Sequence, residues 1–300
     1  MSAATDVRTQ LSTYNKMGSG ENPSPELQVF YDEPAHETDG DTRSWYVRGQ
    51  NFVLAFTEAA AGAVFTRTNQ IDEYVILIEQ EGCPARITWN GETVEVPGYC
   101  VVMIPPGNSS VELPKGGRIT RLYTSRSEDL VAKCPNASNY ATPKPHVAPF
   151  EPWPDPVGGW KVRSYDLNVP PAPGGFARMY RCTTFMLNVF QVFEGPRDPK
   201  RMSPHSHDDF EQCSLALKGD WIHSLRWSWG TDLDAWREDE HVKIGAPSAM
   251  VIPATVIHSS RWVSEGENQL VDIFSPPRVD FSKIDGWVLN ADDYPMPEGV

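Results

Sequence analysis

An all-β fold of sandwich or barrel type is what this chain predicts, and three observations carry that expectation. Its apolar residues fall in short runs rich in Val, Ile, Phe, Tyr and Trp, side chains that suit a pleated, half-buried surface. No long segment repeats apolar residues at the 3.6-residue period of a helix. Finally, 27 prolines and 22 glycines supply the punctuation for many short connections.

Taken in order, residues 1 to about 25 are polar, with Gly18, Gly20, Pro23 and Pro25, and read as a loose or subunit-crossing arm. Strand-like runs follow at 27–30, 45–47, 52–56, 63–65 and 74–79. The run 85–89 meets Asn90-Gly91, a strong hairpin signal, and 93–96 leaves it. The run 101–104 enters Pro105-Pro106-Gly107, and 119–123 closes this half. Between 134 and 175 the chain turns proline-rich yet keeps Trp, Tyr and Val, which suggests an ordered connector. The second half repeats the plan, with runs at 182–193, 212–218 ending at Gly219, 221–229, 249–253 and 270–274, and an acidic loop at 231–240. The Pro- and Asp-rich tail from Ser275 is expected to pack back over the surface.

A net charge of −14 opposes binding to nucleic acid or to an anionic membrane surface. No uncharged run approaches the ~18 apolar residues of a membrane span, and the N-terminus lacks the apolar stretch of a signal peptide. The five cysteines are odd in number and form no C-x-x-C pair, so reduced thiols and a cytoplasmic location are expected.

The chemistry concentrates in Pro204-His205-Ser206-His207-Asp208-Asp209-Phe210-Glu211-Gln212. On an extended chain, His205 and His207 project their imidazoles from one face. Glu211 or Gln212 offers a third donor, and His258 follows Ile252-Pro253 after a second Val/Ile run. Imidazole and oxygen donors brought together from separate strands are suited to a transition-metal ion.

In that order of His-x-His, acid or amide, glycine, and Ile-Pro followed by histidine, the stretch 176–275 resembles the cupin superfamily, and a fainter copy lies upstream. The resemblance implies two cupin-type barrels, each a double-stranded β-helix or jelly roll. It divides the chain into a degenerate barrel without metal ligands at 26–133, a Pro-rich connector at 134–175, a metal-binding barrel at 176–282 and a C-terminal tail at 283–300. Setting Gly82 against Gly219 and Ile104-Pro105 against Ile252-Pro253 places Thr68, Gln70, Val75 and Ser110 opposite His205, His207, Gln212 and His258. None of the four holds a metal well, and Val75 cannot coordinate at all.

Glu211 and Gln212 point to opposite faces of a strand, so one of them at most reaches the ion. The cupin pattern usually leaves six residues between ligand and glycine; Gln212 meets that spacing to Gly219, whereas Glu211 is one too far. The implied set is therefore His205, His207, Gln212 and His258, with Glu211 as the alternative. Around it, Ser214 and Ala216 share the face of Gln212, Met186, Asn188 and Phe190 share another, and Ser260 and Trp262 share that of His258. Either face of the 221–229 run could look inward. Arg226 and Arg261 are candidate clamps for a carboxylate, and His223 reads as structural.

The resemblance implies a mononuclear non-haem metal enzyme for a small organic substrate. Iron(II) is the first choice of ion, and manganese, nickel or zinc are alternatives. Dioxygenation is the first reaction class, because three histidines leave coordination positions for a chelating substrate with dioxygen beside it; gentisate-type ring-cleaving dioxygenases are the nearest family analogy, by barrel plan and His pair alone. Redox-neutral lyase, isomerase or decarboxylase chemistry comes second, and a non-enzymatic binding or storage bicupin third. A homodimer is the expected assembly.

Overall fold

The computed structural model describes residues 22–144, 146–230 and 232–300, so residues 1–21 of the expected arm lie outside the described residues. Two antiparallel barrels follow one another, as the runs of β-formers predict. The first comprises β2 (Glu37–Asp39), β3 (Thr42–Arg48), β4 (Phe52–Ala59), β5 (Ala63–Gln70), β6 (Tyr74–Trp89), β7 (Glu92–Ile104), β8 (Gly107–Leu113) and β9 (Gly117–Thr124). The second comprises β11 (Ala177–Arg181), β12 (Met186–Phe190), β13 (Phe193–Glu194), β14 (Gln212–Lys218), β15 (Asp220–Arg226), β16 (Glu240–Gly245), β17 (Ser248–Ile252), β18 (Ile257–Trp262) and β19 (Glu267–Phe274). The hairpin between β6 and β7 turns at Asn90 and Gly91, with φ of 49° and 84°. Those positive values are what a two-residue primed turn requires. All five cysteines are free thiols. No helix among the described residues is long and apolar enough to cross a membrane.

Two short strands cross between the halves. β1 (Glu26–Val29) pairs with β17 of the second barrel, and β10 (Arg163–Asp166) pairs with β7 of the first. Residues 26–29, expected at the head of the first barrel, thus extend the sheet of the second, and a piece of the connector extends the sheet of the first. Each added strand covers a sheet edge that would otherwise present unpaired backbone groups.

The barrels meet through one apolar layer. Val75 and Leu77 of β6, Leu54 and Phe56 of β4, Cys213, Leu215 and Leu217 of β14, and Val271 and Ile273 of β19 all lie in it. Their strand neighbours turn the other way. Tyr74, Ile76 and Ile78 fill the first barrel, and Gln212, Ser214 and Ala216 face the interior of the second. This alternation corrects the alignment of the two halves. Gln212 pairs with Ile252 and Tyr74 pairs with Ile104, so Tyr74, not Val75, occupies the position of Gln212. Likewise Ser110 turns away from the barrel interior, and it is Ser109, paired with Arg67, that faces inward beside Tyr74. The glycine-anchored alignment slipped because β6 carries register irregularities between Ile78 and Glu81 and between Glu81 and Ala85, which displace the count around Gly82. The phenol of Tyr74 lies inside the first barrel, 2.9 Å from the Ser109 hydroxyl.

The tail closes the joint. Tyr294 is buried, and its hydroxyl donates to Glu73 Oε1 at 2.6 Å, while the Thr183 amide and hydroxyl both donate to Glu73 Oε2 at 2.9 Å. Burial raises the pKa of this carboxyl, and the three donors act against that shift. Tyr294→Phe removes one donor from a buried carboxyl and is expected to lower unfolding free energy by ~1–3 kcal/mol. Urea denaturation of both proteins measures this, and an unchanged midpoint would refute the bridging role of the tail.

Candidate metal centre

The His-x-His pair does not sit in a regular strand. Its segment is extended and makes a single bridge to β18, in which the His205 amide donates to the His258 carbonyl at 3.1 Å and the His258 amide returns the bond at 2.8 Å. The next contact runs from the Thr255 amide to the His207 carbonyl at 2.6 Å. Thr255 holds φ at +69°, a left-handed conformation that strains a β-branched residue and persists only where its surroundings enforce it. The loop before His258 is thus tied to the backbone of both histidines of the pair.

His205, His207 and His258 each present a ring nitrogen within 4.8 Å of the others. His205 is exposed and His207 and His258 are buried, which puts the cluster at the mouth of the second barrel. Nδ1 of His205 lies 2.8 Å from the Ser203 carbonyl, and Nδ1 of His258 lies 2.9 Å from the Val256 carbonyl. A carbonyl can only accept, so both Nδ1 atoms carry hydrogen and both Nε2 atoms keep a free lone pair. Burial pushes the pKa of His207 down to about 3 and that of His258 down to about 4, so both imidazoles are neutral donors near neutral pH.

The structure brings Gln212, not Glu211, to the histidines. The Gln212 amide nitrogen donates to Ser214 Oγ at 3.0 Å and to Asp272 Oδ1 at 2.9 Å. That fixes the flip of the amide, and Oε1 lies 3.0 Å from His207 Nε2 and 3.3 Å from His258 Nε2. Two donors bound cis at ~2.1 Å from one ion stand ~3.0 Å apart, so these separations fit a shared cation. Glu211 points the other way. It accepts from the Gln50 amide at 2.6 Å and from the Tyr140 hydroxyl at 3.0 Å, in the joint between the first barrel and the connector.

Two neighbours of the cluster escaped the sequence reading. Asp272 faces the interior and also accepts from the Ser214 hydroxyl at 2.8 Å; burial raises its pKa to about 6. Its signal was a charged residue on one face of the otherwise apolar end of β19. Arg278 lies over Phe281 at 3.6 Å and Phe274 at 4.9 Å, paired with Asp280. His207 in turn stacks on Phe210 at 4.5 Å.

Other expectations change. Trp221, His223 and Leu225 are the inward face of β15, and His223 Nδ1 bonds the Ser260 hydroxyl at 2.8 Å. Burial takes the pKa of His223 down to about 4. Arg226 is paired on the surface with Asp239 at 2.5 Å, and Arg261 alternates with His258 and Ser260 toward the outer side of β18. Neither guanidinium reaches the cluster, because strand alternation turns both away. Trp229 lies beyond the end of β15, exposed and stacked on Trp236 at 4.4 Å.

No family model matches the chain, and no curated protein does. Solved structures do match. The oxalate decarboxylase of Lactobacillus farciminis, as a formate complex, superposes with a TM-score of 0.57 at 13% identity, over 87% of this chain and 88% of that one. The Bacillus subtilis oxalate decarboxylase gives 0.56 at 15% identity over 87% and 78%. AerE from Microcystis aeruginosa gives 0.53 at 8% identity over 85% and 98%. The chain has the bicupin fold. Identities this low establish the bicupin architecture alone; the chemistry of the site must be argued from its own side chains.

Two outcomes test the centre. In the metal-free bicupin, the ring protons of His207, His258 and His223 should keep neutral-form chemical shifts down to pH 5, because burial lowers each pKa below 6.5; NMR titration would show a transition near 6.5 if the rings were solvated. Excess divalent ion should raise the melting temperature of the wild type, through preferential binding to the folded state. That rise should vanish in His207→Ala and His258→Ala.

Proposed function

We propose that this bicupin is a mononuclear metal-dependent enzyme acting on a small organic substrate that chelates the ion through oxygen. The observation that carries this reading is the convergence of three imidazoles and the Gln212 amide oxygen at one point. Three neutral imidazoles and a neutral amide leave a divalent ion its full charge, which favours anionic or enolate oxygen. When bound, the ion supplies Lewis-acid chemistry, and redox chemistry if it is iron. Iron(II) remains the first choice, with manganese, nickel and zinc as alternatives. Manganese gains support from the Mn(II) centres named for the similarly folded Bacillus subtilis oxalate decarboxylase.

The first reaction class is dioxygenation with cleavage of a carbon–carbon bond or ring. His205, at the mouth, leaves the cluster open to solvent, and Ser214 and Ala216 are too small to block the space beside Gln212. The second class, redox-neutral lyase, isomerase or decarboxylase chemistry, is favoured by one specific observation. Asp272 lies inside the barrel, one hydrogen bond from Gln212, where a carboxylate can hold or move a proton at a bound substrate. A purely binding role is disfavoured by a histidine set kept intact and open to solvent.

Protein purified without an immobilised-metal column should carry about one divalent ion per chain by elemental analysis, as a single three-His site implies. A screen of small aromatic and diketone compounds in an oxygen electrode then separates the classes. Oxygen consumed in step with substrate supports dioxygenation, and turnover that persists without air supports redox-neutral chemistry. Gln212→Glu should keep the ion and lower kcat ~10-fold or more, because an anionic donor weakens its Lewis acidity. Equal kcat in the two proteins would remove the role given to the neutral amide.

A further inference from the structure

Inside the second barrel, past Gln212, stand three polar side chains, Asn188, Ser214 and Asp272. Asn188 of β12 pairs across the sheet with Asp272 of β19, and Asp272 pairs with Ser214 of β14. The three side chains therefore stand in a row on the interior face. Asn188 is 1% exposed, and its Oδ1 has no hydrogen-bond partner. A buried acceptor left without a donor is costly, so such an atom points to a group that is supplied from elsewhere. Asp272 receives two donors, from Gln212 and Ser214, both on Oδ1. Its Oδ2 has no hydrogen bond from the described residues. Asp272 is enclosed by protein and still retains accessible surface, so a space opens against it within the barrel.

One cation stands near enough for its charge to act on Asp272, Arg278, which opposes the effect of burial on that carboxyl but makes no hydrogen bond to it. Arg278 directs Nε and Nη2 at Asp280, at 3.0 and 2.5 Å, with aromatic rings beneath it. Arg226 and Arg261 face outward. No lysine or arginine among the described residues forms a salt bridge with Asp272.

We infer that the row Asn188–Asp272 is a specificity pocket that takes a hydrogen-bond donor on the substrate, a hydroxyl or a protonated amine, and disfavours a carboxylate. The inference rests on the metal-enzyme reading and deepens it. The substrate is a small molecule whose chelating oxygens face the histidines while a hydroxyl or ammonium group reaches inward to Asn188 Oδ1 and Asp272 Oδ2.

The test uses cobalt(II)-loaded full-length protein and four hydroxamates that share one chelating head and differ in the tail. The tails are methyl (acetohydroxamate), hydroxyl (glycolohydroxamate), ammonium (glycine hydroxamate) and carboxylate (malonomonohydroxamate). Titration followed by the visible cobalt spectrum gives each Kd without any need for turnover. The hydroxyl and ammonium tails should bind about tenfold tighter than methyl, the increment of a charge-assisted hydrogen bond, and the carboxylate tail should bind weakest. Asn188→Leu should erase the advantage of the hydroxyl tail, and Asn188→Asp, which keeps an acceptor, should restore it. Asp272→Asn should weaken the ammonium tail and strengthen the carboxylate tail.

A carboxylate tail that binds tightest, or an order of tails unchanged in all three variants, overturns the pocket. Melting curves with and without cobalt confirm that each variant folds and loads; Asn188→Ser replaces Asn188→Leu if the latter does not. Failure of the wild type to take up cobalt would instead bring down the metal reading beneath the inference, and the two failures are told apart by the spectrum before any hydroxamate is added.

Discussion

The two-residue alternation of β14 is the constraint on which the site depends. Cys213, Leu215 and Leu217 are drawn into the apolar layer against the first barrel. That burial leaves Gln212, Ser214 and Ala216 no face but the interior of the second. A one-residue slip would bury Gln212 among Val75, Leu77 and Ile273 and turn Glu211 or Cys213 toward the histidines. The hydrophobic contact between barrels is worth roughly 1.5–3 kcal/mol for each fully buried Leu or Val side chain, and several such side chains together outweigh any single contact of the amide. Packing between the halves therefore decides which donor faces the histidines, and Glu211 is excluded by the same rule that admits Gln212.

Much of this was legible in the sequence because it rests on spacing. His205, His207 and His258 were found by motif order, and the choice of Gln212 over Glu211 followed from the distance to Gly219. Strand existence was legible from β-rich runs, and the Asn90-Gly91 hairpin from its turn chemistry. What spacing alone does not encode was missed. The irregularities in β6 shifted the count and put Val75 where Tyr74 belongs. The exchange of β1 and β10 between sheets depends on long-range pairing that no local pattern announces. The inward face of β15 was ambiguous because Trp221, Leu225, Ile222 and Ser224 suit either side. Asp272 was overlooked because its meaning depends on a partner sixty positions away, the Gln212 amide.

The placement of charge follows from these contacts. The position nearest the histidines carries a neutral amide, Gln212, and a carboxylate stands one hydrogen bond farther out, at Asp272. The amide can serve two masters because its ends differ: Oε1 faces the histidines while Nε2 donates to Ser214 and Asp272. A glutamate at 212 would face Asp272 with a second negative group and no donor, and the two would repel. Gln212 and Asp272 are thus a matched pair, and a change at either alters the other's environment.

The first barrel, filled by its own apolar cluster, also bears on the centre. Glu211, the residue just before Gln212, is held by the Gln50 amide from the β3–β4 loop of the first barrel and by Tyr140 from the connector. Gly49 approaches so closely that a Cβ there would stand 2.7 Å from Glu211 Oε2. Burial raises the pKa of the Glu211 carboxyl, and the two donors partly counter that shift. The backbone at 211–212 is therefore clamped from outside its own barrel while its next side chain points inward to the histidines. The first barrel can in this way fix the position of Gln212 in the second, a physical task beyond covering an apolar face.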